Sequence, residues 1–219
     1  PKVLNALSKE VLDELNEAID NVDVNNIRCL ILTGDGEKAF VAGADIASQY
    51  PLSKVQGEEW GKNGNNIFLK LEKLPIPVIA AVNGYALGGG CEICMSCDIR
   101  ICSENTVFGQ PEVGLGITPG FGGTQRLARL IGPGMAKEMI YAGKNVKADE
   151  ALRIGLVNHV YPLEELMNEA IKLANRIASN APIAVRNSKK AINEGLELGI
   201  EEAVALESKL FGDCFETHD

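Results

Sequence analysis

The sequence has 219 residues, 46% of them hydrophobic and 23% charged, and a formal net charge of −9. That length suits one domain with a substantial core, and the composition excludes both a disordered chain and a membrane protein. The negative charge excludes a nucleic-acid surface, which needs clustered Lys and Arg, yet a small anionic ligand can still be held by a few local donors such as helix N-termini.

In chain order, Pro1 to Glu10 does not read as a signal peptide and no apolar run reaches the ~20 residues of a membrane span, so a cytosolic protein is expected. Ser8 to Val22 places Val11, Leu12, Leu15 and Ile19 at helical spacing, with Ser8 as N-cap. Cys29 to Thr33 is a short apolar run ended by Gly34-Asp35-Gly36, which reads as a buried strand and a turn. Val55 to Leu74 is helical in its second half, and its first half, around Gly57, Gly61 and Gly64, is expected to be mobile. Pro77 to Val82 is a second buried strand, followed by the glycine-rich run Gly84 to Gly90, a helix bearing Cys91, Cys94 and Cys97, and a strand from Asp98 to Cys102. Strand, helix and strand in alternation imply right-handed crossovers and a mostly parallel sheet covered by helices, an α/β fold. From Gly134 on, helices dominate: Met135 to Tyr141, Ala148 to Ile154, Leu163 to Ala178, Pro182 to Gly195 and Ile200 to Phe211, with one short strand, Val157 to Val160. The last three have little sheet left to cover, so their apolar faces fold back or meet another subunit.

The candidate chemistry narrows by elimination. The run Cys91-Glu92-Ile93-Cys94-Met95-Ser96-Cys97 invites a metal reading, but it lies on a helix, lacks a fourth ligand, and its thiols form one arc of small residues. No metal site is expected. Nucleotide fingerprints fail, since Pro119 stands where Gly114-Leu115-Gly116 would need its third glycine. Only His159 and His218, the penultimate residue, are present, and His159 is expected to be a structural or surface residue.

Two carboxylates stand out. Glu92 follows Gly88-Gly89-Gly90 at the start of an apolar helix, and Glu112 sits between Phe108-Gly109-Gln110-Pro111 and Val113-Gly114-Leu115. Burial raises a carboxyl pKa toward neutrality, which suits general acid-base work. The plain alternatives are a dipole-stabilised acid in a first helical turn and an ordinary loop acid. Gly88 to Gly90 also leaves free backbone N–H groups at a helix start, and Ala42-Gly43-Ala44-Asp45-Ile46 can set another opposite. Tight turns explain both glycine clusters equally well.

Three stretches, Ala39 to Ile46, Ala81 to Glu92, and Phe108 to Gly116 continuing through Pro119 to Leu127, resemble, in order, the motifs of the enoyl-CoA hydratase/isomerase (crotonase) superfamily. The likeness runs nearly end to end and is strongest to the short-chain branch of butyrate-forming bacteria, which comprises enoyl-CoA hydratases and 3-hydroxybutyryl-CoA dehydratases. It implies the crotonase fold, ββα units repeated around a mostly parallel sheet, with a core over residues 1–155 and a C-terminal helical region over 156–219 for packing and trimerisation. It also implies a carbon-oxygen lyase that hydrates crotonyl-CoA reversibly, with coenzyme A as part of the substrate and no separate cofactor or metal.

By the same resemblance, the backbone N–H groups of Ala44 and Gly89 hold the thioester oxygen. Glu92 activates the water that attacks C3, Glu112 exchanges the proton at C2, and Gly120 helps to hold the attacking or departing oxygen. Ala42, Gly43, Asp45, Ile46, Gly88 and Phe121 line the substrate, with the acyl tail near residues 49–65 and Phe121. The basic residue that often follows the first motif is replaced by Ala47 and Ser48, which leaves Lys38 as the phosphate candidate. The expected assembly is a homo-hexamer, a dimer of trimers, with no nucleic-acid or membrane partner. Family members extend further at both ends, so a truncated chain is expected. Double-bond isomerisation on the same fold, and a non-catalytic acyl-CoA-binding protein, remain the alternatives.

Overall fold

The computed structural model describes residues 4–45 and 52–217. Ile46, His218 and part of the acyl-tail stretch lie outside them. The fold is α/β, with its strands divided between two four-stranded sheets rather than one.

The chain builds these sheets in pairs. Strands β1 (Leu30–Thr33), β3 (Val78–Val82), β5 (Ile99–Ser103) and β8 (His159–Tyr161) form an all-parallel sheet in the order β1-β3-β5-β8. The strand following each of the first three, β2 (Ala39–Val41), β4 (Tyr85–Leu87) and β6 (Val107–Gly109), enters the second sheet, where β7 (Val146–Lys147) closes one edge antiparallel. Helix α2 (Lys54–Glu72) follows the first pair and α3 (Gly89–Met95) the second, giving the ββα repeat. Asn83 makes the crossing between sheets: its carboxamide bonds the Gly34 N–H and the Gly34 and Gly36 carbonyls, which pins the turn after β1 to the turn after β3.

Strand β3 is buried along its whole length and separates two cores by its period of two. Val78, Ala80 and Val82 face the main core with Phe40, Phe68 and Phe108, while Ile79 and Ala81 pack against Leu166 and Ala170. Those last two lie on α7 (Leu163–Ala178), which covers the outer face of the first sheet.

Local signals set the helix ends. Helix α1 (Lys9–Asp20) begins at Ser8, whose side chain accepts from the Val11 N–H. Helix α2 departs from the expected half-helix: a capping box at Ser53 and Gln56 starts it at Lys54, so the glycine-bearing first half is helical too. The glycines there give close packing, because a β-carbon at Gly64 would run into the Phe121 ring. Helix α4 (Gly123–Ile131) packs on α3 and on α5 (Pro133–Tyr141), and α6 (Ala148–Arg153) packs on β6, β7 and β8. The expected strand at 157–160 is shifted to His159–Tyr161, paired with Ile101 to Ser103.

The chain ends in the hairpin of α8 (Pro182–Gly195) and α9 (Ile200–Asp213). Polar bonds attach it to the rest: Lys189 donates to Asp98 at 2.7 Å and to the Ile76 carbonyl at 3.0 Å, and Arg186 donates to the Val24 carbonyl. Among the described residues no helix is long and apolar enough to cross a membrane.

Candidate active site

The neighbouring ends of β2 and β4 in the second sheet place the two glycine clusters side by side. Past β2, the chain runs through Ala42 to Asp45 beside Leu7, with Leu7 N–H bonded to the Gly43 carbonyl at 2.8 Å and Asp45 N–H to the Leu7 carbonyl at 3.0 Å. In such a parallel ladder the residue between the two bonds, Ala44, turns its own N–H away from Leu7. Past β4, Gly88 takes φ 51° and ψ −121°, a conformation open to glycine, and a β-carbon there would come within 4.0 Å of the Gly43 α-carbon. Gly89 then begins α3, so its amide has no acceptor within the helix. Helix α3 sits so close to β2 that a β-carbon at Gly90 would collide with the Val41 carbonyl oxygen.

Glu92 lies in the first turn of α3 and is 1% exposed. Its Oε1 accepts two backbone N–H bonds, from Phe121 at 2.9 Å and Gly123 at 2.7 Å. Burial pushes its pKa up to about 7, and the nearby Glu112 charge adds to the rise, against the pull of those two N–H groups and of Arg126. Glu112 opens a 3-10 turn, Glu112–Leu115, and is also buried, which raises its pKa. Its Oε2 has no hydrogen-bond partner among the described residues, and its Oε1 lies 2.8 Å from where a Gly88 β-carbon would stand. Two carboxyls with pKa values raised by dry surroundings thus flank the Gly88-Gly89 corner.

The segment from Gly120 to Gly123 is clamped from two helices. Asn65 of α2 donates to the Gly120 carbonyl at 2.8 Å, and Arg126 of α4 donates to the Phe121 carbonyl at 3.0 Å while pairing with Glu72 at 2.8 Å. Gly120 itself is exposed. Phe121 takes part in two ways: its N–H meets Glu92, while its ring is 3% exposed and packs on Phe68, with centroids 5.5 Å apart, and on Trp60 at 5.8 Å.

The structure therefore brings together Ala42, Gly43, Ala44, Gly88, Gly89, Glu92, Glu112 and Phe121, with Asp45 at the edge through its N–H to Leu7. It does not bring Lys38 among them: that residue is exposed at the head of β2, about 13 Å of strand away from Ala42. Among the described residues no group of three or more His, Cys, Asp or Glu could hold a metal ion. Cys97 and Cys102 are pushed up to about 12 by burial and stay protonated thiols. Asn65, Arg126 and Gln110 belong to the site by geometry although no role was expected of them. For Gln110 a signal existed, since it stands two residues beyond Phe108 and both are fully buried.

A family profile described as enoyl-CoA hydratase/isomerase matches residues 1–219. The chain is 59% identical over its whole length to the short-chain-enoyl-CoA hydratase of Clostridium acetobutylicum, of which the match covers 84%, and 54% identical to the crotonyl-CoA hydratase of Syntrophomonas wolfei, of which it covers 85%. Among solved structures it is similar to an enoyl-CoA hydratase from Bacillus anthracis, with a TM-score of 0.96, 43% identity, and coverage of 100% of this chain and 85% of that one.

Proposed function

The chain belongs to the enoyl-CoA hydratase/isomerase family, and from that premise we propose that it adds water reversibly across the 2,3 double bond of a short-chain trans-2-enoyl-CoA, crotonyl-CoA above all. One observation carries the reading: two buried carboxyls with raised pKa values flank a corner of backbone N–H groups. Relatives named as short-chain-enoyl-CoA and crotonyl-CoA hydratases support the substrate class.

In this reading the thioester oxygen accepts from the Ala44 and Gly89 N–H groups. Ionised Glu92 takes a proton from water as the water oxygen bonds to C3, and the π electrons move through C2 onto the thioester oxygen. Protonated Glu112 then delivers a proton to C2 as the enolate collapses. Glu92 ends protonated and Glu112 ionised, and proton exchange with solvent resets the pair. Each oxyanion donor of this kind contributes about 10²–10³ in rate, and positioned acid-base groups about 10²–10⁴. The Gly120 N–H is proposed to hold the water oxygen; Asn65, which donates to the Gly120 carbonyl, holds the next peptide, the one that carries the Phe121 N–H.

The same reading includes an assembly of two trimers. What supports it is the apolar surface of the α8–α9 hairpin and the turn after it, where Leu196, Ile200 and Phe215 are each at least 76% exposed.

The test follows the loss of crotonyl-CoA double-bond absorbance with wild type, Glu92→Gln and Glu112→Gln, after circular dichroism shows all three folded. The wild type is expected to turn over, with each variant slower by about 10²–10⁴. A folded wild type that binds the thioester without consuming it sinks the proposal.

A further inference from the structure

Asn65 stands half-buried on α2 and spends both hydrogens of its amide nitrogen on carbonyl oxygens. Nδ2 donates to the Gly61 carbonyl at 3.0 Å and to the Gly120 carbonyl at 2.8 Å. Gly61 lies four residues back, so one bond fixes the side chain to its own helix while the other reaches across to the loop before α4. The amide nitrogen is a donor only, and turning the group over would set its oxygen against both carbonyls.

The Gly120 carbonyl and the Phe121 N–H are opposite ends of one planar peptide, so holding the oxygen toward α2 turns the N–H the other way. That N–H is one of the two that Glu92 Oε1 accepts, at 2.9 Å. The following peptide is held from α2 at second hand: Arg126 donates to the Phe121 carbonyl at 3.0 Å and is itself paired with Glu72 near the end of α2. The loop has little stiffness of its own, because Gly120, Gly122 and Gly123 fall within four residues and Gly122 takes φ 98°. Both clamps close on the Gly122 α-carbon, where a β-carbon would run into Arg126 Nη1 and stand 3.1 Å from Asn65 Oδ1.

Resting on the hydration reading above, we propose that Asn65 is a positioning residue: by holding the Gly120 carbonyl it keeps the Phe121 N–H on Glu92, so that α2 holds in place the carboxylate that activates water. A hydrogen bond donated to a carboxylate favours its charged form, and the Phe121 N–H pulls the pKa of Glu92 down against burial. Glu92 must be ionised to take a proton from water, so a slack Phe121 peptide leaves less of it ready. The other groups facing Glu92 are Glu112 on the 3-10 turn, Arg126 on α4 with its partner Glu72 on α2, and the Gly123 N–H. Asn65 carries no charge, so replacing it by another neutral residue acts on Glu92 through the loop alone.

The experiment titrates Glu92 in the folded protein by its carboxyl infrared band, identified by difference from Glu92→Gln. It compares wild type with Asn65→Leu, Asn65→Ser and Asn66→Leu. Asn65→Leu removes both bonds at nearly the same volume, and Asn65→Ser keeps a hydroxyl that reaches only the Gly61 carbonyl. Both are expected to raise the Glu92 midpoint by about one unit. With it, kcat/KM for crotonyl-CoA at pH 7 should fall by about fivefold, because the ionised fraction drops from about half to about a tenth. Asn66→Leu, the same change on the exposed neighbour, should leave the midpoint and the rate as in wild type. An unmoved midpoint in the Asn65 variants overturns the proposal even where the rate falls, since a merely structural contact lowers rate or stability without shifting Glu92. So does an equal shift in Asn66→Leu. If wild type leaves crotonyl-CoA untouched, the hydration reading falls separately, while the infrared midpoint still judges Asn65.

Discussion

Helix α3 and helix α8 treat their side chains in opposite ways. All seven residues of α3 are buried, Glu92 included, whereas α8 is twice as long and buries none. Around α3, burial is complete within one chain: the helix meets the Val41 carbonyl, the Phe121 ring and the Gly123 loop so closely that glycine is required at several contacts. Around the α8–α9 hairpin large apolar side chains such as Ile192, Leu196, Ile200 and Phe211 stay in water, and polar bonds through Lys189 and Arg186 tie the hairpin to the core. A complete interior makes an acid chemically unusual by removing its water, and an uncovered apolar face calls for a second surface.

One kind of substitution breaks this comparison most sharply at α3. Gly90→Ala puts a methyl group into the Val41 carbonyl, and an expected loss of about 3 kcal/mol or more in urea unfolding would follow; wild-type stability in that variant would mean the contact yields easily. Next comes the attachment of the hairpin. Lys189→Met leaves Asp98 half-answered by the Val78 N–H, and a loss of about 3 kcal/mol with faster proteolysis of the last helices is expected. Unaltered proteolysis would show that apolar packing, not this pair, fastens α8.

Glu92 supplies the third test, through pH. Its folded pKa of about 7 lies above the ordinary carboxyl value, so the folded state binds the proton more tightly than the unfolded chain. The cost of keeping Glu92 charged is absent below the ordinary value, grows as pH rises, and is complete above about 7. Glu92→Gln should therefore gain stability over wild type by up to about 3 kcal/mol at pH 8 and lose that advantage at pH 4. An equal gain at both values would trace it to packing. The smallest effects belong to α9 and its turn. If the proposed assembly forms through this face, Leu196→Glu with Ile200→Glu should dissociate it in sedimentation while changing the stability of the isolated subunit by no more than about 0.5 kcal/mol. Gly212→Ala, with nothing within 4 Å of the new carbon, should even stabilise α9 by about 0.5 kcal/mol, opposite in sign to Gly90→Ala.

Some of this was legible in the chain of letters. Ser8 as a cap, the apolar run ending at Val82, and the bounds of α7 and α8 follow from caps and periodicity that act within a few residues. Three separated motifs in order identified the family and pointed to Glu92, Glu112, Ala44 and Gly89, because those residue types must recur wherever the same backbone corner is built. The second sheet was not legible. Strands β2, β4 and β6 have three residues each, too few to show a period of two, and Gly109 weakens any strand preference further.

Tertiary structure alone decided how these pieces meet. The capping box at Ser53 starts α2 locally, but the close packing of its first half came from Gly61 and Gly64 meeting the Gly120–Phe121 backbone and ring, some 55 residues away in sequence. That the Phe121 N–H serves Glu92 while its ring serves the core, and that the Gln110 amide reaches the Gly88 carbonyl, depended on contacts between separate elements. Caps and periods are local energies and can be read locally; burial, pKa and the aim of a peptide group are set by neighbours that only the folded chain supplies.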